Sequence, residues 1–71
     1  MKQENSDGLA RVIEEKNKLE SIMSDLLRDE GPGVKQGGVW RTYLEQYGSI
    51  ALSLDLFREH GHEVPPLLFD L

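Results

Sequence analysis

The sequence predicts an all-α fold: an antiparallel two-helix hairpin that dimerises into a four-helix bundle and carries an extended, proline-containing C-terminal tail. Three observations lead there. Two long stretches repeat apolar residues in steps of three and four, the spacing of one helical face. A glycine-rich break, Gly31-Pro32-Gly33 through Gly37-Gly38, separates them. The apolar stripes are broader than a single two-helix seam covers, which calls for a second layer.

Residues 1–6 read as a disordered polar tail, and Asp7 is the expected N-cap, with Ser6 as the alternative. The first helix is expected over about residues 7–30. Leu9, Val12, Lys16, Leu19, Met23 and Leu26 take heptad positions a and d, and Ile13, Ile22 and Leu27 widen the stripe. Lys16 is the exception on this face, expected to snorkel or to set register. Gly31 suits a left-handed helix end and Pro32 cannot continue the helix. The loop 31–38 is rich enough in glycine to be read as mobile. It lacks the Gly-Lys-Ser/Thr ending of a phosphate-binding loop, so a nucleotide site is not expected.

The second helix is expected over about residues 39–60. Trp40, Tyr43, Tyr47, Ile50, Leu54 and Phe57 repeat at a and d, with Leu44 and Ala51 beside them. Its opposite face carries a second apolar stripe, Leu52 and Leu56, floored by Gly48 and Ser49. Small residues there let another backbone approach closely. Gly61 is placed to cap the end, completing a hairpin over residues 7–63, and Val64-Pro65-Pro66 forces an extended path.

The chain of 71 residues suits one small domain and has no cysteine, so disulfides and thiolate metal sites are excluded. A cysteine-free chain with a polar N-terminus and no long apolar run points to a cytoplasmic protein off the membrane. The formal net charge of −5 and the scattered bases argue against nucleic acid. His60 and His62, with Glu59 and Glu63 nearby, could touch a metal. One short segment would leave such an ion open, so no metal is assigned, and a metal-binding protein is the least favoured reading. No serine has a base placed beside it, and neither an enzyme nor a cofactor is expected.

Ser53-Leu54-Asp55-Leu56-Phe57 resembles the pentapeptide by which many bacterial proteins dock into the sliding clamp, Gln-Leu-Ser/Asp-Leu-Phe, with Ser53 in place of the leading glutamine. That resemblance implies an extended, exposed peptide, whereas the heptads place Leu54 and Phe57 in the core.

The tail, residues 64–71, holds Pro65, Pro66, Leu67, Leu68, Phe69 and Leu71. Bulky apolar residues rarely stay exposed without purpose. They can fold back over Leu52 and Leu56, cross to a dimer mate, or serve as a linear motif, with docking within the dimer preferred. The expected function is a small non-enzymatic interaction or regulatory module. It would form a homodimer and bind another protein through Gly48, Leu52, Leu56 and the tail. A structural subunit of a larger helical complex is the alternative.

Overall fold

The computed structural model of the chain describes residues 3–69. It is an all-α hairpin of two helices that pack against each other, α1 (Gln3–Glu30) and α2 (Gly38–Glu59), joined by a short 3-10 turn (Pro32–Gln36). At about 1.5 Å per residue, the 28 residues of α1 span roughly 42 Å. This matches the longest dimension of the molecule, 45 Å against a 17 × 17 Å cross-section. α1 starts ahead of the expected cap, so Asp7 lies within the helix and the frayed segment expected over residues 1–6 is helical from Gln3.

The 31–38 segment, expected as a glycine-rich loop, forms a hydrogen-bonded 3-10 turn over Pro32–Gln36. Gly31, at φ 81°, donates its N–H to Leu27 O at 2.9 Å. Pro32 opens the 3-10 turn, Val34 N–H reaches Gly31 O at 3.2 Å, and Gly37 N–H reaches Val34 O at 2.9 Å. Val34 packs against the core and anchors the turn. The apolar signal was a single valine among glycines, too weak to read as an element.

α2 ends in a Schellman motif. Gly61, at φ 95°, donates to Arg58 O at 3.0 Å, and His62 N–H donates to Phe57 O at 3.0 Å. The His62 ring stands edge-on to Phe57 at 5.5 Å, supplying the contact that usually accompanies this cap. A left-handed residue here turns the chain back on itself, and Pro65-Pro66 keep it extended as it returns along the hairpin.

The core is Leu19, Met23, Trp40, Tyr47, Ile50 and Leu54, with Met23 and Tyr47 fully enclosed. Leu9, Val12, Ile13, Leu27, Tyr43 and Leu44 pack around it half-buried. So do Val64, Leu67 and Phe69 from the returning tail. Ile22, Leu26 and Phe57, also expected in the core, are half-buried outside this cluster. The reason is geometric: the tail closes only one side of the seam. Phe57 lies at the open end, where a Cβ on Gly8 would meet its ring at 3.6 Å.

Candidate interaction surfaces

Beneath the tail lies a buried polar cluster. Lys16 and Glu20 sit one turn apart on α1, only 6% and 9% exposed. Lys16 Nζ stands 3.0 Å from Glu20 Oε1. From α2 the Tyr47 hydroxyl donates to Glu20 Oε2. From the tail, Leu68 N–H reaches Glu20 Oε2 at 2.7 Å and the Tyr47 hydroxyl at 2.9 Å, and Phe69 N–H reaches that hydroxyl at 3.4 Å. The three segments of the fold thus meet on one carboxylate. Among the described residues no buried side-chain nitrogen or oxygen lacks a partner. Such satisfaction is the condition under which a buried ion pair is tolerable.

The electrostatics follow from these contacts. Burial raises the Glu20 carboxyl, but the hydrogen bonds from Tyr47, Leu68 and Lys16, with the Lys16 charge, outweigh it and hold the group below the usual carboxylate range. Burial and the bond to Glu20 push the Tyr47 phenol up, against a smaller opposing effect of the Phe69 and Leu68 N–H donors. Glu20 is therefore ionised and Tyr47 protonated at neutral pH.

Aromatic packing seats the tail. Phe69 stands edge-on to Trp40 at 5.5 Å and to Tyr47 at 6.0 Å. Each T-shaped pair adds about 1 kcal/mol beyond area burial. Leu67 packs on the core while Leu68 points outward, 63% exposed. The backbone bends at Leu68 and Phe69, which brings both N–H groups to the Tyr47 hydroxyl. Pro65 is half-buried and Pro66 exposed. Leu71 lies outside the described residues. Lys35 holds its Nζ 5.8 Å from the centre of the Trp40 ring.

The tail therefore docks on its own chain, but over the seam between the helices rather than over Leu52 and Leu56, which the chain leaves bare at 68% and 58% exposed. Lys16 does not snorkel: its ammonium is turned inward to Glu20. Glu20 was missed in the sequence because a glutamate at a helix margin usually faces water. Only its i,i+4 spacing from the odd Lys16 hinted at the pair.

On the outer side of α2, Leu44, Gly48, Leu52 and Leu56 form a single i,i+4 row. Gly48 interrupts it as a notch: a Cβ built there meets nothing within 4 Å. A shallow depression lined by Arg41, Leu44, Glu45 and Gly48 marks the spot. A second depression, lined by Lys35, Trp40, Leu44, Leu68 and Phe69, shares Leu44 with it. Leu68 of the tail and the Gly48 notch thus adjoin through Leu44.

Across the seam from the tail, an open groove of about 520 Å³ runs between the helices. Val12, Leu19, Ile22, Tyr43 and Ile50 supply its apolar lining, and Glu15, Lys18, Gln46, Ser49 and Ser53 its polar one. Neither Glu15 nor Lys18 forms an ion pair among the described residues.

The remaining sequence features resolve simply. Ser53-Leu54-Asp55-Leu56-Phe57 lies within α2 with Leu54 buried, so it is not an extended, accessible peptide. His60 and His62 belong to the helix end, and among the described residues no three histidine or carboxylate groups stand together as metal ligands. No helix among the described residues is long and apolar enough to cross a membrane. Comparison with protein-family models, with curated proteins and with solved structures finds no match to this chain.

Proposed function

We propose that this chain is a small non-enzymatic protein-interaction module that packs a helix of its partner against the outer row of α2, with Leu68 of the tail at the edge of the contact. The carrying observation is the row Leu44, Gly48, Leu52 and Leu56, half-buried at Leu44 and Gly48 and bare at Leu52 and Leu56. An i±4 row is the ridge that enters the groove of another helix, and a glycine within it lets the two backbones approach. Two leucines more than half exposed, one turn apart, form an apolar patch that a partner would cover.

The test places a photo-crosslinking residue at position 52 and, as control, at Ser21 on the exposed side of α1. Expected is a single defined protein adduct from position 52, absent from position 21 and lost in a Leu56→Asp chain that keeps its helicity. Equal labelling from both positions would refute the reading.

Self-association is a second reading, favoured by the open groove. Glu15 and Lys18 flank an apolar floor, one turn apart and without partners. An antiparallel crossing of two α1 helices about a two-fold axis sets Glu15 of each copy against Lys18 of the other, and the hairpins then form a four-helix bundle. Sedimentation equilibrium tests it. Lys18→Glu should weaken the dimer, and Glu15→Lys with Lys18→Glu together should restore it. A monomer at every concentration would exclude it. Assembly of the hairpin into a larger helical complex would use the same two faces.

A further inference from the structure

Stability alone does not call for charge in this core. A buried Lys–Glu pair can be replaced by apolar side chains of similar volume without loss. What the pair supplies is a fixed acceptor: Glu20 Oε2 takes a backbone N–H from a segment far along the chain. Around it stand the features of peptide recognition: a main-chain donor captured at one point, side chains seated at alternate positions (Leu67 and Phe69), and two prolines that hold the strand extended before it docks.

We propose that the cleft formed by Glu20, Tyr47 and Trp40 is a peptide-binding site whose resident occupant, the chain's own residues 64–69, is displaceable. The displacing ligand is an extended segment of another protein. It carries bulky apolar side chains two positions apart, as Leu67 and Phe69 are, and an acidic residue beyond them to meet Lys35 beside Trp40. A second copy's tail is the weaker competitor. It offers the same contacts without the tether, which sets an effective concentration on the order of millimolar. A partner's segment wins by adding contacts past the Phe69 seat. The inference shares Leu68 with the proposed α2 contact, but its test leaves Leu52 and Leu56 in place, so the two fail separately.

The experiment uses the full chain carrying Leu67→Ala and Phe69→Ala, which empties both seats, and a synthetic peptide of residues 62–71 as probe. Trp40 fluorescence and backbone amide shifts should report binding at least about tenfold tighter than to the unaltered chain, whose tethered tail competes. The same peptide with alanine in place of its phenylalanine should bind about tenfold more weakly than the unaltered peptide. A folded variant that binds neither peptide, or both alike, overturns the proposal. Hydrogen exchange on the unaltered chain keeps it falsifiable where the variant fails to fold. The Leu68 amide should open at least about tenfold more often than the Met23 amide. Equal opening would mean that the tail leaves only with the whole fold, and the site is structural. A dimer that grows with concentration and disappears with Phe69→Ala would refute the choice of occupant.

Discussion

The two sides of the hairpin seam are built from the same pair of helices and solve the same problem differently. On one side the returning tail lies over Lys16, Glu20, Tyr47 and Trp40, and the Lys16, Glu20 and Tyr47 polar groups are matched. On the other, Val12, Ile22, Tyr43 and Ile50 line a groove that no segment among the described residues covers. A seam closed through hydrogen bonds to one carboxylate accepts one strand in one register. The open seam has an apolar floor edged by Glu15, Lys18, Gln46, Ser49 and Ser53, and no main-chain hydrogen bond fixes a register there. The closed side is therefore defined by polar contacts and the open side by apolar shape, although both are half-exposed ridges in the bare helical pattern.

Several substitutions would break that contrast. The largest effect is expected from Glu20→Ala, which strands the Lys16 ammonium in the core and takes away the shorter of the two hydrogen bonds that hold Leu68 N–H. Removing one partner of a buried pair costs about 3–5 kcal/mol, measurable by urea denaturation. Replacing both, Lys16→Met with Glu20→Leu, should recover most of that stability. Exchange at the Leu68 amide should nevertheless stay faster than in the unaltered chain, because the carboxylate acceptor is gone and only the Tyr47 hydroxyl remains. Equal protection of Leu68 in that double variant would show that the tail is held without the carboxylate, by apolar packing and the Tyr47 hydroxyl.

Next in size is Phe69→Ala, expected to cost about 2–3 kcal/mol since the ring is only half-buried, below the usual range for a full core phenylalanine. Ile22→Ser on the open side should cost about 1 kcal/mol or less, and the difference between these two values measures the asymmetry of the seam directly.

Acid provides a reversible version of the same test. Glu20 titrates lower in the folded chain than in the unfolded one. Its stabilising contribution is thus present above the ordinary carboxylate range and is lost as pH falls through the lowered folded value. The Glu20→Leu, Lys16→Met chain should lack that component of the acid transition in a pH series of thermal melts. The smallest effect, opposite in sign, belongs to Gly48→Ala. Open space receives the methyl group and helix propensity improves, so the chain should gain about 0.5–1 kcal/mol.

The helices and their hairpin were legible because steps of three and four carry that information locally. Trp40, Tyr47, Ile50 and Leu54 fall where the heptads put them. What the pattern could not carry was the side of the seam that the tail would choose. Leu67 and Phe69 look the same whether they cover Leu52 or Trp40. The choice is made by a lysine and a glutamate that read locally as solvated charges, paired with an amide 48 residues beyond the glutamate. Apolar periodicity reports burial, and here the deciding residues are buried polar ones. The 3-10 turn was hidden for a related reason: its order comes from main-chain hydrogen bonds and one valine, while its composition is that of a flexible linker.

Trp40 is the chain's sole tryptophan, and the Phe69 ring edge rests on it. The indole lies where the end of the tail arrives, so its emission is a built-in optical gauge of that arrival. A shift to longer wavelength with helicity intact reads an uncovered indole on a standing hairpin. The protein thus reports the state of its own closure without any label.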